Sequence, residues 1–310
     1  MTIVVAGGTG LAGSAIVRAY EATGAEVIAL NRKVVDLLDR DATTAFLKKT
    51  KPSLVVDAAA KVGGIGANNA FPVEFLSDNV RIQSNLMEAA HAADVEKFIF
   101  LGSSCIYPRD CAQPIKEEYL LTGPLEETNS AYAIAKIAGI ELIKSFRKEY
   151  GRTWISLMPT NLYGPNDNFE LQGSHVLPAF IRRFVEAVEK NAPVETLWGT
   201  GSPKREFLHV DDLAAAVVHL GNSYNSSDHI NIGTGEDLTI KALAEMVAEL
   251  AGFKGEIAWD SSKPDGTPRK VLDVSKVKSL GWAPKISLRD GIASTIAWYK
   301  DASAKGVARR

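Results

Sequence analysis

The sequence has few cysteines, no long apolar run and no cluster of basic residues. Its two cysteines, Cys105 and Cys111, are too few for a disulfide framework. Apolar runs such as residues 214–220 are far shorter than the ~20 residues of a membrane-spanning helix. The net charge is −2, and basic residues occur only in short runs such as Arg309-Arg310, so the electrostatic footprint of a nucleic-acid-binding protein is missing. We therefore expect no membrane and no nucleic-acid partner.

Signals for secretion and for metal binding are also lacking. The chain opens on the strand-like TIVVAGG, which leaves no room for a cleavable signal segment, so we expect a cytoplasmic location. No His/Cys cluster has metal-ligand spacing, so we predict no metal site. A hydrophobic content of 46% and a charged content of 23% are typical of a globular enzyme.

Over its first 160 residues the sequence alternates regularly between short strand-like stretches and longer helical stretches. Short β-branched runs lie at residues 2–6, 26–30, 53–58, 97–101 and 154–157. Helical stretches lie between them, near residues 11–23, 41–49, 72–93 and 130–150. This alternation predicts βαβ units, and the continuous apolar runs indicate strands covered on both faces. The predicted fold class is α/β, a Rossmann-type doubly wound parallel sheet.

A glycine-rich segment, VVAGGTGLAGSAI, lies between the first strand and the first helix. Gly7, Gly10 and Gly13 have a G-x-x-G-x-x-G spacing. Glycine lets the backbone approach a pyrophosphate, whose charge is stabilised at the helix amino terminus. The alternative is a glycine-rich turn with no ligand, but the strand–turn–helix context favours a dinucleotide site. A P-loop is excluded because no Lys precedes Ser14.

The residues after the second strand indicate which dinucleotide is bound. An NAD site usually places Asp or Glu there, whereas this chain has Asn31-Arg32-Lys33. Cationic side chains suit a 2′-phosphate, so the sequence favours NADP(H); the alternative is a solvated basic turn. In such a fold, the segments near the adenine and its ribose would be Asp36-Leu37 and Asp57-Ala58-Ala59.

After Pro165 the pattern loosens. We predict helices near residues 176–190, 212–220, 240–251 and 288–301, and strands near 195–198 and 229–232. We expect an NADP-binding Rossmann domain over residues 1–165, with returning segments near 206–234. Residues 166–310 would mainly form a smaller α/β carboxy-terminal domain that binds the substrate.

The segment YAIAK places Tyr132 and Lys136 four residues apart, on one face of a predicted helix. A nearby ammonium would lower the pKa of the phenol, which could then exchange a proton with a carbonyl or alcohol oxygen. A Tyr-Lys pair on a helix is common by chance. A serine after the fourth strand and a dinucleotide loop upstream make coincidence a poor explanation.

Together these features resemble the extended short-chain dehydrogenase/reductase family, in its sugar-nucleotide branch. The resemblance is carried by GGTGLAG, the AAA of residues 58–60, LGSSCIYP, YAIAK, PTNLYGP and REFLHVDD. It implies that the hydroxyl four positions before Tyr107, that of Ser103, is catalytic. It further implies cofactor contacts from Thr9, Leu11, Lys136, Pro159, Asn161, Leu162 and His175.

Cys105 distinguishes among the reactions of this branch. Its dehydratases carry an Asp-Glu pair directly after the catalytic hydroxyl, where this chain has Ser104 and Cys105. Simple 4-epimerases need no thiol there, but a thiolate can remove a proton from a carbon next to a ketone. The alternative for Cys105 is a small buried hydrophobe, and we expect Cys111 to be structural. A partner acid on the opposite sugar face would be His175. Its alternative role is that of a residue at a helix amino terminus that donates a hydrogen bond to a carbonyl.

The motifs SSCIYP, AKVGGI, PTNLYGP, NFELQGSHVLPA and KREFLHVDD resemble the branch members that act on GDP-4-keto-6-deoxy-D-mannose. The resemblance implies epimerisation at C3 and C5 by Cys105 and His175, then NADPH-dependent reduction at C4 with Ser103 and Tyr132 at the C4 oxygen. It also implies a homodimer formed through the helices near residues 72–93 and 130–150.

Several other side chains are candidates for binding the GDP-sugar. Arg suits a diphosphate because its planar fork binds two oxygens, although an exposed Arg is often only a solvated charge. Trp198 could pack near the base or fill the small domain. The candidates are Asn161, Arg183, Trp198, Arg205 and, from a loop that would close over the nucleotide, Lys263, Arg269 and Lys270.

Two other functions remain open from the sequence. One is a reductase or epimerase of another NDP-4-keto-6-deoxyhexose, with a product such as a deoxy-talose or colitose. The other is a non-catalytic NADPH-binding regulator, which the joint presence of Ser103, Tyr132 and Lys136 disfavours.

Overall fold

The computed structural model describes residues 1–171, 173–263 and 265–309. In chain order its strands are β1 Thr2–Ala6, β2 Glu26–Leu30, β3 Leu54–Asp57, β4 Lys97–Leu101, β5 Ile155–Pro159, β6 Asn161–Tyr163, β7 Val194–Trp198, β8 Lys204–Arg205, β9 Phe207–His209, β10 Ile230–Ile232, β11 Leu238–Thr239, β12 Glu256–Asp260 and β13 Arg269–Lys270. Its helices are α1 Leu11–Glu21, α2 Arg40–Thr50, α3 Ile65–Ala70, α4 Pro72–Ala92, α5 Ser130–Tyr150, α6 Val176–Glu189, α7 Val210–Ser223, α8 Ile240–Ala251, α9 Ser275–Ser279 and α10 Leu288–Ala304.

A six-stranded parallel sheet forms the centre of the molecule, in the order β2-β1-β3-β4-β5-β10. From β1 the chain goes first to β2 on one side and then returns to β3 on the other side. Parallel sheets of this kind bind ligands in the crevice at the carboxyl ends of the strands, where the order reverses. The predicted Rossmann-type fold class is confirmed, and the glycine-rich segment follows β1 at this edge.

The central sheet is buried on both faces, as its continuous apolar strands predicted. All four residues of β3 are buried, and so are four of the five residues of β1. The helices pack in two groups. Helix α1 packs with α7, and helices α2 and α5 both pack against α4. Helix α7 therefore packs against the first part of the chain, and its apolar residues belong to the core of the central sheet.

A second hydrophobic core lies among α6, α8, α10 and β7. Its largest buried side chains include Phe169, Phe184 and Tyr299, and Phe169 packs on Tyr299 with ring centroids 4.5 Å apart. This cluster contains the carboxy-terminal apolar residues that the predicted helices align on one face. The domain boundaries stay a prediction.

The predicted long elements are present, with ends that differ by a few residues. Helix α7 begins at Val210, two residues before its predicted start, because the His209 ring accepts a hydrogen bond from the Asp211 backbone N–H. Strands β6, β8, β9, β11, β12 and β13 were not predicted. Three of them, β8, β11 and β13, have two residues each, which is too few to show a periodicity. None of the helices in the described ranges combines the length and the apolar character that a bilayer span requires.

A buried polar network anchors the segment that follows Cys105 to the sheet. The Tyr107 hydroxyl donates to Asn231 Oδ1 at 2.5 Å and lies 3.1 Å from His229 Nε2. Asn231 Nδ2 in turn donates to the carbonyl of Ile115 at 2.9 Å. The network therefore connects β10 to both ends of this segment.

We predict that His229→Gln removes part of the acid sensitivity of the fold. Burial lowers the pKa of His229 from 6.5 to about 4. Between these pH values the unfolded chain binds a proton that the folded chain does not, so stability falls as the pH drops from 6.5 towards 4. For this one group the loss is about 2 kcal/mol at pH 5.

Chemical unfolding at pH 7.5 and pH 5 checks this prediction. The wild type should lose about 2 kcal/mol more than the variant between the two pH values. The packing lost by the substitution is the same at both pH values and cancels within each protein. Equal losses in the two proteins would contradict a neutral, buried His229.

Candidate active site

The turn between β1 and α1 can be built only with glycine at several positions. Gly7 has a φ of +71°, and a Cβ on it would lie 2.7 Å from the Ala58 carbonyl oxygen. A Cβ on Gly13 would overlap the Gly7 carbonyl oxygen. Gly8, for which the sequence predicted no role, lies against Ala29 of β2, and a Cβ on Gly8 would likewise have no room there. The turn is therefore held tightly between β2 and the end of β3.

Gly10 differs from these glycines because it faces away from the packed turn. It precedes α1 without a side-chain cap, and the first turn of α1 has no acidic residue. A Cβ on Gly10 would meet only the Gly7 carbonyl oxygen, at 3.4 Å. Thr9 is exposed and Leu11 is half-buried beside it. Uncapped amides at a helix amino terminus fit a pyrophosphate.

The next predicted cofactor residues follow β2 and β3. Arg32 and Asp36 are exposed, whereas Leu37 is buried in the core of the central sheet. Ala58 and Ala59 adjoin the glycine turn, and the Ala58 amide donates to the Ala6 carbonyl at 3.1 Å. The exposed Arg32 guanidinium at the end of β2 fits a 2′-phosphate.

Lys136 is buried at the carboxyl end of β4. Its Nζ donates to the Leu101 carbonyl at 2.9 Å and lies 4.8 Å from the centroid of the Phe100 ring. Burial lowers the pKa of Lys136, and the charge of Asp57 partly offsets that effect. Burial likewise raises the pKa of Asp57 to about 6, despite the opposing charge of Lys136. These two groups form a charge pair beneath the cleft.

Tyr132 lies one turn before Lys136 on α5, with Nζ of Lys136 5.9 Å from its ring centroid. The sequence-based expectation of a lowered phenol pKa is wrong in direction. Burial raises the pKa of Tyr132 well above its usual value, the charge of Cys105 adds to this, and a hydrogen bond with the Ser103 side chain opposes it. Tyr132 therefore keeps its proton at neutral pH, as a proton donor must.

Cys105 lies within a single 3₁₀ turn, Ser104–Ile106, directly after β4. Its backbone N–H donates to Ser103 Oγ at 3.2 Å, so this hydroxyl caps the turn that presents the thiol. Lys270 Nζ donates to Cys105 Sγ at 3.5 Å. The structure thus brings Ser103, Cys105, Tyr132 and Lys136 together, and adds Lys270.

His175 is the residue before α6, and its side chain makes no capping hydrogen bond to that helix. The residue is exposed to solvent, although protein atoms surround its imidazole ring closely enough to desolvate it. Desolvation by those atoms lowers the pKa of His175, and the charge of Lys270 lowers it further. The imidazole is therefore free of a structural partner at its helix end and close to the Lys270 ammonium.

The predicted substrate residues Arg183, Trp198 and Lys263 lie around β7. The Trp198 side chain ends β7 and is 70% exposed, with Lys263 Nζ 5.6 Å from its ring centroid. Arg183 donates to Glu195 Oε1 at 2.6 Å and to the Thr196 carbonyl at 2.5 Å. The Arg183 guanidinium thus braces the strand that presents Trp198, while the Trp198 face stays open.

The two arginines near β8 and β13 have different surroundings. Burial lowers the pKa of Arg205, and the charges of Cys105 and Asp265 partly offset this. The Arg205 guanidinium is thus near enough to Cys105 for their charges to interact. Arg269 donates instead to Asp237 Oδ2 at 2.5 Å, which commits one of its nitrogens to an ion pair.

The remaining predicted cofactor contacts lie at the end of β5 and in β6. Pro159 ends β5, and Leu162 lies half-buried in β6. Asn161 Nδ2 donates to the Glu206 carbonyl at 2.8 Å, so its amide group connects β6 to the chain before β9. Across the described ranges, no group of three or more His, Cys, Asp or Glu side chains is arranged to hold a metal ion.

Comparisons with known proteins show which proteins this chain is similar to. A profile of the NAD dependent epimerase/dehydratase family matches residues 3–233. The GDP-L-fucose synthase of Escherichia coli (strain K12) is 51% identical over 307 residues, covering 96% of each chain. GDP-L-fucose synthase 1 of Arabidopsis thaliana is 53% identical over 298 residues, covering 96% of this chain and 92% of the relative. A crystal structure of a GDP-L-fucose synthetase from Naegleria fowleri bound to NADP has a TM-score of 0.91 and 29% identity, covering 100% of this chain and 96% of that one.

Proposed function

The chain belongs to the NAD dependent epimerase/dehydratase family, and from its site and its similarity to GDP-L-fucose synthases we infer its reaction. It is an NADP(H)-dependent enzyme that converts GDP-4-keto-6-deoxy-D-mannose to GDP-L-fucose, by epimerisation at C3 and C5 and reduction at C4. One observation carries this inference. Cys105 lies in the same cleft as the Ser103, Tyr132 and Lys136 side chains, so a carbon base accompanies a reductase site.

The epimerisation requires a base beside the carbons that flank the ketone. The C4 carbonyl acidifies the hydrogens on C3 and C5, because the electrons left behind move onto the C4 oxygen. Cys105, as thiolate, takes the proton, and the C–H bond breaks as the S–H bond forms. His175 then returns a proton to the opposite face of the ring. Cys105 then releases its proton to solvent and His175 takes one up, and repetition at the second carbon inverts both centres.

Ser103 and Tyr132 hold the C4 oxygen in both reactions. Hydrogen-bond donors aimed at an oxygen that gains negative charge stabilise the transition state. Bound NADPH supplies the hydride that reduces C4. Tyr132 gives its proton to the C4 oxygen, which its raised pKa permits because the phenol stays protonated until that step. Lys136 orients the nicotinamide ribose and holds a charge beneath the phenol.

The GDP group is assigned to the carboxy-terminal part of the chain. The exposed Trp198 face, with Lys263 beside it, can stack on a purine. Arg205, near enough to Cys105 for their charges to interact, suits the diphosphate. Arg183 supports this site from behind by bracing β7.

We also propose the predicted domain division, a cytoplasmic location and a homodimer through α4 and α5, where Val73, Leu76 and Ile134 are exposed.

One assay in heavy water tests the proposed function. The enzyme, GDP-4-keto-6-deoxy-D-mannose and NADPH should yield GDP-L-fucose with one deuterium at C3 and one at C5, at one NADPH consumed per product. Without NADPH, deuterium should still enter the substrate. NADPH oxidation without deuterium would overturn the epimerase assignment and leave a 4-reductase. Deuterium uptake with a different sugar product would overturn the product assignment.

A further inference from the structure

We propose that Lys270 is a positioning residue for the epimerisation, acting as the counter-ion of the Cys105 sulfur. The proposal rests on the proposed function for its reaction. The geometry that carries it is a Lys270 Nζ–Cys105 Sγ distance of 3.5 Å.

The two cations of β13 are divided between opposite sides of the strand. Successive side chains of a strand point to opposite faces. Arg269 accordingly pairs with Asp237, whereas Lys270 reaches Cys105. Lys270 is also opposite Arg205 in the parallel register of β13 and β8. The strand therefore delivers one cation to the cleft and keeps its neighbour outside.

The backbone around Lys270 is held at a defined place. The Val271 amide donates to Gln113 Oε1 at 3.0 Å, and the Leu272 amide donates to Glu206 Oε2 at 2.9 Å. Glu206 is fully buried. Gln113 belongs to the segment that also contains Cys105, so the base and its cation are carried by elements tied to each other. A freely moving surface lysine would have no such anchors.

Charged and titratable groups from several elements act on Cys105 or on Lys270. Arg205 of β8 and Tyr132 of α5 interact with the charge of Cys105. His175 before α6 and Cys111 interact with the charge of Lys270. An ammonium beside a sulfur favours its anionic form.

The test measures alkylation of Cys105 by iodoacetamide in the full enzyme without substrate, in a Cys111→Ser background. Lys270→Met, which keeps the length of the side chain and removes its charge, should slow alkylation at pH 7 about tenfold. Lys270→Arg should retain most of the reactivity. Lys278→Met removes an exposed charge eight residues away, and its alkylation should match the wild type.

A second readout separates this role from binding of the diphosphate. In Lys270→Met, the kcat for deuterium exchange at C3 and C5 should fall about tenfold. Lys270→Arg should restore much of this rate. Unchanged alkylation together with a raised KM for the GDP-sugar would overturn the proposal and make Lys270 a phosphate ligand. If the proposed function failed, the alkylation effect would still be observed, because that measurement uses no substrate.

Discussion

Replacing Cys105 by serine is expected to slow deuterium exchange at C3 and C5 by roughly 10²–10⁴-fold, the usual contribution of a positioned base. An alcohol does not ionise near neutral pH, so the variant lacks the anion that removes the proton. The capping hydrogen bond from the residue-105 amide to Ser103 Oγ does not involve the sulfur and should persist. The hydroxyl, the phenol and the glycine turn should therefore keep their arrangement.

The reductase half of the reaction provides the matched control for Cys105→Ser. Oxidation of GDP-L-fucose at C4 by NADP⁺ needs no proton removal from C3 or C5, so the variant should retain it within about threefold, and NADPH affinity should be unchanged. Cys111→Ser, a substitution of the same chemistry six residues away, should keep both activities. Exchange at a near wild-type rate in Cys105→Ser would show that another group is the base.

Gly13→Ala is expected to impair the fold and the cofactor site together. The new methyl would overlap the Gly7 carbonyl oxygen, which is backbone and cannot rotate away. Either α1 must move off the turn or the turn must open, at a cost of roughly 1–3 kcal/mol of stability. Because the amides of α1 would then no longer face the pyrophosphate correctly, NADPH affinity should fall on the order of 100-fold.

Gly10→Ala is the control for this strain, since its methyl would meet the Gly7 carbonyl oxygen only at 3.4 Å and its φ is −83°. Thermal unfolding should place Gly10→Ala within about 1 kcal/mol of the wild type. NADPH affinity is measured for both variants by quenching of protein fluorescence. Wild-type stability in Gly13→Ala would contradict the close approach of α1 to the turn.

The comparison of the two cations in β13 shows where inference from sequence reached its limit. Arg269 and Lys270 are adjacent in the PRK of one loop, and composition cannot tell which faces the cleft. Their directions depend on β13 pairing with β8, and a pair between two-residue strands has no periodic signature. The phenol pKa was predicted in the wrong direction for a related reason. Desolvation depends on how deeply α5 packs, which spacing along a helix does not show.

The sequence by itself determined the alternation of strands and helices, the glycine turn and the order of the chemical motifs. These features are local, because strand period, helix period and backbone freedom are properties of neighbouring residues. Only the tertiary structure decided that Lys270 reaches Cys105 across 165 positions of the chain, and that Arg183 supports β7. Long-range proximity and burial arise when separate elements pack, and it is this packing that places charges beside the thiol and desolvates the phenol.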